Sequence, residues 1–165
     1  MAKKRVGLKV PTANELSKRY GDMIVSASDT KESGLWLPST FFMLNYTFGG
    51  GIPFGKILEV AGEESSGKSL IAYNFAYTTQ QLGGHVIWVD AEQAWMNSWA
   101  QENGVDPNGV TVIRDTRIEN IADALADVAI YWRSQLTHNE PILLVVDSIA
   151  AMDCADNIDS KIDRK

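Results

Sequence analysis

The sequence predicts an α/β fold in which a mostly parallel sheet is flanked by helices. From residue 41 onward, short apolar stretches alternate with longer amphipathic ones, which is typical of strands connected by helices. One apolar stretch, residues 142–147, is continuous, as in a strand that is buried on both faces. A glycine-rich loop, residues 62–69, lies between a predicted strand and a predicted helix. The 165 residues suit one such domain.

Residues 1–40 are predicted to be a helical appendage with a linker, and residues 41–165 the core. Thr12 and Glu15 have the spacing of a capping box, and Gly21 can end the short helix that they open. Residues 26–34 are polar and are predicted to link this helix to the core.

The strands of the core are predicted from short apolar runs. They are residues 57–61, 85–90, 110–113 and 142–147. A sheet built from strands that alternate with helices in this way is expected to be parallel.

The helices of the core are predicted from their boundary residues and their apolar period. They are residues 68–82, residues 96–103, and a helix that runs to about residue 137. Gly83–Gly84 and Gly104 end the first two, and Thr116 with Glu119 forms a second capping box that opens the third. Along the third helix, apolar residues recur at steps of three and four and predict a buried face: Ile118, Ile121, Leu125, Val128, Trp132 and Leu136.

Composition narrows the class of protein. Apolar residues make up 45% of the chain and charged residues 22%, which suits a packed domain. No apolar run approaches 18 residues, so no membrane span is expected, and no apolar segment follows the charged N-terminus as a signal peptide requires. Cys154 is the single cysteine, which excludes an internal disulfide. A cytoplasmic protein is expected.

The net charge of −6 argues against DNA binding by overall charge. A negative net charge does not exclude a local basic patch. The densest cationic stretch is Lys3, Lys4, Arg5 and Lys9, which is either a solvated N-terminus or a contact with nucleic acid or another subunit.

The loop Gly62-Glu63-Glu64-Ser65-Ser66-Gly67-Lys68-Ser69 has the Gly-x4-Gly-Lys-Ser pattern of a phosphate-binding loop. The two glycines let successive N–H groups turn inward, and the following helix adds its positive end. Lys68 is predicted to reach the β- and γ-phosphates, and Ser69 to place a hydroxyl on magnesium. The sequence therefore predicts that the chain binds a nucleoside triphosphate with magnesium.

Two carboxylates are predicted to accompany the loop. Asp147 ends the apolar strand 142–147, the position of a magnesium-side carboxylate, although a carboxylate there can also cap a helix. Glu92 follows strand 85–90 and lies at the same edge, where ligands bind in an open parallel sheet. It is a candidate to orient or deprotonate water, and the alternative is that Glu92 or Asp90 caps a helix.

These blocks together resemble the RecA family of recombinases, from about Phe41 to Asp153. The resemblance lies in Gly49–Ile57, in the Glu64-Ser65-Ser66 interior of the loop, in Val89-Asp90-Ala91-Glu92, in Gly104-Val105-Asp106 and in Val145–Ala151. It implies a P-loop NTPase of RecA-like fold that binds ATP and Mg²⁺ and hydrolyses ATP in a filament on single-stranded DNA. Lys68 and Glu92 would be catalytic, Ser69 and Asp147 would hold the metal, and the nucleotide would contact residues 62–69, Leu70 and Trp99. The N-terminal helix would contact a neighbouring subunit.

The chain departs from the family's pattern in two respects. Trp99 stands where the family has a tyrosine that stacks on adenine, and Met96 replaces an aspartate that helps to read the adenine amino group. An aromatic plane is retained, but selectivity for ATP over GTP is weakened. The resemblance also stops about eighteen residues after Asp147, before the DNA-binding loops, so we expect a truncated chain from a bacterium or a phage. Two alternatives stay open: another ATPase of RecA fold, such as a hexameric helicase or a clock-type protein, or a nucleotide-binding fragment without turnover.

Overall fold

The computed structural model of the protein describes residues 12–27 and 34–154, which belong to two compact units divided between residues 33 and 34. The predicted linker, residues 26–34, lies mostly outside the described residues. The cationic residues of the N-terminus and the polar residues 155–165 lie outside them altogether.

The first unit contains helix α1, Ala13–Tyr20, followed by a 3-10 turn, Gly21–Met23. The predicted capping box is confirmed. Glu15 donates its backbone N–H to the Thr12 hydroxyl at 3.3 Å, and the Thr12 N–H donates to the Glu15 carboxylate at 2.9 Å. The helix ends at Gly21, whose φ of 61° is strained for other residues.

Over residues 34–154, the second unit contains four α-helices and two small sheets. The helices are α2 (Phe42–Phe48), α3 (Lys68–Gln81), α4 (Asn97–Glu102) and α5 (Ile118–Gln135). The strands are β1 (Trp36–Leu37), β2 (Ile52–Pro53), β3 (His85–Asp90), β4 (Val110–Ile113) and β5 (Ile142–Asp147). Strands β1 and β2 pair antiparallel, whereas β4, β3 and β5 form a parallel sheet in that order. The parallel sheet confirms the α/β prediction.

Strand β3 is the centre of the core, because every one of its residues is buried. Its Trp88 packs on Tyr73 of α3 with ring centroids 4.6 Å apart, and its His85 stacks on Trp132 of α5 at 3.5 Å. Since successive side chains of a strand point to opposite faces, positions 85 and 88 lie on opposite faces. Helices α3 and α5 therefore cover opposite faces of the sheet.

The parallel register brings the carboxyl ends of the strands to one edge. Asp90 of β3 is aligned with Asp147 of β5, and Val89 is aligned with Ile113 of β4. Ligands of open α/β sheets bind at this edge. Within the described parts of the chain, no helix has both the length and the apolar character that a membrane crossing requires.

The predicted strand at residues 57–61 is wrong, because this segment has no ladder partner and Ile57 is 99% exposed. An apolar run becomes a strand only where a neighbour accepts its backbone hydrogen bonds. Strand β5 is likewise not buried on both faces throughout, since Leu144 is 47% exposed.

The capping box predicted for Thr116 and Glu119 is also wrong. Helix α5 begins at Ile118, two residues beyond Thr116, and its N-cap residue, Arg117, makes no side-chain cap. Asp115 organises this turn instead, accepting hydrogen bonds from the N–H groups of Thr116 at 2.7 Å and Arg117 at 2.9 Å. On the predicted buried face of α5, Ile121 is buried but Ile118 is 45% exposed, because it lies at the open start of the helix.

Candidate nucleotide site

The glycine-rich loop, residues 62–69, leads directly into α3. Gly67 precedes the helix with a φ of 92°, a conformation that residues with a Cβ rarely adopt. Helix α3 begins at Lys68, so the first N–H groups of the helix have no partner within it. The loop can therefore offer an anion both free N–H donors and the positive end of a helix dipole.

The Lys68 side chain folds back onto the loop backbone. Its Nζ donates to the carbonyl oxygens of Gly62 at 3.0 Å and Glu63 at 2.7 Å. The ammonium group is thus held beside the loop backbone. Since an anion attracts it more strongly than a neutral carbonyl does, a phosphate can replace these carbonyls as its partner.

Ser69 and Asp147 are brought together from distant parts of the sequence. The Ser69 hydroxyl donates to Asp147 Oδ2 at 2.9 Å, which joins the first turn of α3 to the carboxyl end of β5. The two residues are half-buried. The structure therefore places side by side the two residues that the sequence predicted as magnesium ligands.

This pair fits Mg²⁺ in chemical type. Magnesium prefers hard oxygen ligands, and proteins often hold it through one or two carboxylates together with substrate phosphates and water. Among the described residues, no group of three or more His, Cys, Asp or Glu side chains gathers as an all-protein metal site. A hydroxyl and one carboxylate beside a phosphate loop match the mode in which protein, phosphate and water together bind Mg²⁺.

Glu92 lies in the turn after β3, next to Asp147 in space. Its carboxylate is exposed and accepts a hydrogen bond from the Ser148 hydroxyl. The turn is also attached to β5 through the Ala91 N–H, which donates to the Asp147 carbonyl oxygen at 3.2 Å. Glu92 therefore lies at the strand-end edge, in contact with the residue that follows Asp147, with its carboxylate open to solvent. Ser148 was not among the residues predicted for the site.

Asp90 has a different role from Glu92. It is 1% exposed, and its Oδ1 accepts the N–H groups of Ala94 at 2.8 Å and Trp95 at 3.2 Å. Its Oδ2 accepts Arg114 Nε at 3.1 Å. The alternative that Asp90 caps a helix is wrong, because its N–H partners lie in the turn before α4, which begins at Asn97 without a side-chain cap. Arg114 is a partner that sequence reasoning missed.

A cleft of about 380 Å³ is lined by the Ser69–Asp147 pair together with aromatic and apolar side chains. Those side chains are Tyr73, Trp88, Ala94, Trp95, Met96 and Trp99. Trp99 is 43% exposed, so it is not the ordinary core residue that its type alone would suggest. Its ring is available to a flat ligand in the cleft.

The floor of the cleft is a packed aromatic cluster. The ring of Tyr73 lies 4.6 Å from Trp88 and 5.4 Å from Trp95, and the two tryptophans are 5.0 Å apart. Burial, together with the Asp147 and Asp90 carboxylates, raises the pKa of the Tyr73 hydroxyl to about 12. Tyr73 is therefore neutral at physiological pH. Trp95 was missed from sequence because a tryptophan in a turn carries no periodic signal.

The remaining predicted residues lie along the loop and the start of α3. Glu63, Glu64, Ser65 and Ser66 are exposed, and Leu70 is 41% exposed. Exposure of this kind leaves the loop backbone accessible to a ligand from solvent.

Comparison with known proteins indicates the family of the chain. The family model described as the RecA N-terminal domain matches residues 10–165. The protein RecA of Ruminococcus albus is 35% identical over 130 residues, which cover 76% of this chain and 30% of that protein. The protein RecA of Malacoplasma penetrans is 30% identical over 152 residues, which cover 90% of this chain and 43% of that protein.

A third relative, the protein RecA of Clostridium beijerinckii, is 41% identical over 106 residues. The match covers 62% of this chain and 27% of that protein. In these three matches the chain spans between 27% and 43% of the relatives' own length.

Proposed function

Because the chain belongs to the RecA family, we propose that it binds ATP with Mg²⁺ and acts as a DNA-dependent ATPase in homologous recombination and DNA repair. The observation that carries the proposal is the 2.9 Å contact between Ser69 and Asp147 beside the phosphate loop. Those residues are 78 positions apart in sequence, and the hydroxyl–carboxylate pair meets where a helix N-terminus can receive phosphates.

The loop residues bind and position the triphosphate. Lys68 exchanges its carbonyl partners for phosphate oxygens, and the N–H groups at the start of α3 take further oxygens. Ser69 and Asp147 would hold magnesium, which neutralises charge on the phosphates when it is bound. Fixed donors of this kind stabilise the charge that develops in phosphoryl transfer without reorganising during the reaction.

Glu92 is proposed as the catalytic carboxylate that orients or deprotonates the attacking water. It is exposed to solvent, and its hydrogen bond from Ser148 holds it beside the strand end that carries Asp147. A carboxylate in this place can accept a proton from water once a phosphate lies in the loop. Asp90 is unsuited to this role, because its carboxylate is already occupied by N–H donors.

Trp99 is proposed to stack on the nucleotide base. It lines the same cleft as Ser69 and Asp147. Met96, which also lines this cleft, is 57% exposed and offers no strong hydrogen-bond donor or acceptor to a base. Stacking holds every purine, since each has a π-face. The site is therefore expected to select weakly between ATP and GTP.

The proposed setting is a homo-oligomeric filament on single-stranded DNA in the cytoplasm of a bacterium or a phage-infected cell. In that filament, the helix of residues 13–20 would contact a neighbouring subunit. A ring-forming ATPase of RecA fold is the alternative, and electron microscopy of a full-length form distinguishes filaments from closed rings.

The direct test is an ATPase assay on the purified chain, with and without single-stranded DNA. Glu92→Gln keeps the shape of the side chain but removes the proton acceptor, and is expected to lower turnover at least 100-fold while Mg²⁺–ATP still binds. Glu102→Gln, which makes the same chemical change at the end of α4, is the matched control and is expected to keep the parental rate.

Three outcomes distinguish the possible functions. Turnover that rises with DNA and is lost in Glu92→Gln supports the ATPase. Nucleotide binding without turnover supports the second candidate, a binding fragment. Absence of binding by calorimetry at millimolar Mg²⁺–ATP contradicts both.

A further inference from the structure

We propose that Asp90 and Arg114 form a positioning pair that fixes the turn of residues 91–96. This turn carries Glu92 near one end and Met96 at the other, so it joins the proposed catalytic carboxylate to the wall of the cleft. The inference rests on the proposed function, because the position of the turn affects a nucleotide only if the cleft binds one.

Asp90 holds the second half of the turn through its carboxylate. Oδ1 accepts Ala94 N–H at 2.8 Å, and both oxygens accept Trp95 N–H at 3.2 Å. A buried carboxylate that accepts backbone N–H groups fixes the chain more firmly than neutral hydrogen bonds do, since charge-assisted bonds are stronger. The position of Trp95, and therefore of the cleft wall, depends on this carboxylate.

Arg114 compensates for the burial of that charge. The Asp90 side chain is only 2% exposed, whereas the Arg114 side chain is 56% exposed, and its Nε donates to Asp90 Oδ2 at 3.1 Å. A buried carboxylate without a cation is costly. Arg114 keeps the anion paired while its guanidinium still contacts water.

The pairing follows from the register of the sheet. Val89 is aligned with Ile113 in the parallel ladder, so Asp90 and Arg114 are the next pair of positions beyond it. Asp90 is the last residue of β3 and is aligned with Asp147, and Arg114 is the first residue after β4, so both lie at the same edge of the sheet. The pair thus links the end of β4 to the site, although β4 contributes no residue to the lining of the cleft.

The first half of the turn is held separately. Ala91 N–H donates to the Asp147 carbonyl oxygen at 3.2 Å, and Gln93 takes a φ of 56°, which a non-glycine residue rarely adopts. A turn with this conformation needs support at both ends. Loss of the Arg114 contact is therefore expected to loosen the Ala94–Trp95 end first.

The experiment compares Arg114→Gln, Arg114→Lys and the control Arg117→Gln with the parental chain. Arg117→Gln removes the same charge at an exposed position three residues farther on. Amide hydrogen exchange reports the turn, calorimetry gives the Kd of Mg²⁺–ATP, and the thermal midpoint reports global stability. We expect exchange at Ala94 and Trp95 to be about tenfold faster in Arg114→Gln, with exchange in β3 unchanged.

In the same variant we expect the Kd of Mg²⁺–ATP to rise about fivefold while the thermal midpoint changes little. Arg114→Lys keeps the charge and is expected to restore part of both effects. The inference is overturned if Ala94 and Trp95 exchange in Arg114→Gln at the same rate as in the parental chain. It is also overturned if exchange is accelerated equally along β3, because the pair would then stabilise the domain as a whole and not this turn in particular. A faster turn with an unchanged Kd also overturns it.

Failure of the proposed function has a different signature. If the parental chain binds no nucleotide, the calorimetric comparison is flat for every variant. The exchange data then still decide whether Arg114 holds the turn, so the two failures are distinguishable.

Discussion

Replacement of Trp88 is the sharpest test of how the core supports the cleft. Trp88 lies in the middle of β3 and is 1% exposed. Its ring packs against Tyr73 at 4.6 Å and Trp95 at 5.0 Å, so it supports the cleft from the sheet side. Trp88→Ala leaves a large cavity beneath these two rings, and Trp88→Phe keeps a ring in the same place.

The expected decrease in the free energy of unfolding can be estimated from the area that the side chain buries. An aromatic residue of this size buries about 250 Å², which at about 25 cal/mol per Å² corresponds to about 6 kcal/mol for the whole side chain. The alanine variant retains Cβ and the neighbours relax in part, so the expected loss is about 3–5 kcal/mol. Trp88→Phe is expected to lose about 1–2 kcal/mol.

Urea unfolding followed by far-ultraviolet circular dichroism measures both values. Trp99→Phe is the control: Trp99 is 43% exposed, so we expect it to lose under about 1 kcal/mol. A domain of ordinary stability loses much of its free energy of unfolding in Trp88→Ala, and the milder Trp88→Phe keeps the test measurable if that variant is unfolded. A loss below about 1 kcal/mol in Trp88→Ala would refute the packing argument.

Three further predictions concern charge and close packing. Lys68→Ala is expected to weaken Mg²⁺–ATP binding at least tenfold by calorimetry, with little change in thermal midpoint, since its partners are accessible loop carbonyls. Burial lowers the pKa of His85, so the unfolded chain takes up a proton at higher pH than the folded chain does. The contribution of His85 to stability is therefore full above about pH 6.5 and falls as the pH is lowered. Thermal melts from pH 8 to 5 would show this fall, and His85→Gln is expected to remove it. Gly84→Ala is expected to lose about 1–3 kcal/mol in urea unfolding, because a Cβ there would lie 2.1 Å from the Pro141 carbonyl oxygen.

The fold was predictable where a segment with a strand or helix pattern also finds a neighbouring element to pair or pack with. Strand β3 has the predicted bounds, as do β4 and β5, and α3 ends one residue before its predicted end. The errors occur where the outcome depends on contacts that no local pattern encodes. Residues 57–61 have a strand-like pattern but no ladder partner, and Thr116 has capping-box spacing but lies beside Asp115, whose carboxylate takes the N–H groups first.

The site divides in the same way. Lys68, Ser69 and Asp147 were predicted from the side chains that phosphate chemistry requires at the ends of specific elements. The structure brings Ser69 and Asp147 together, while their roles stay a prediction. Tyr73 and Trp95 were not predicted, because an aromatic residue signals only burial until its neighbours are known. A motif therefore predicts the polar residues of the cleft, Ser69 and Asp147, but not its aromatic lining.

The Asp90–Arg114 contact shows why register is the missing information. Neither residue belongs to a periodic pattern, and they are 24 positions apart. They meet because β3 and β4 are parallel and aligned from Val86 with Val110 to Val89 with Ile113. A shift of one residue would turn the side chains of β4 to the other face and separate the pair. The same register argument places Asp90 level with Asp147, so one alignment of three strands determines both the proposed metal ligand and the support for the Glu92 turn.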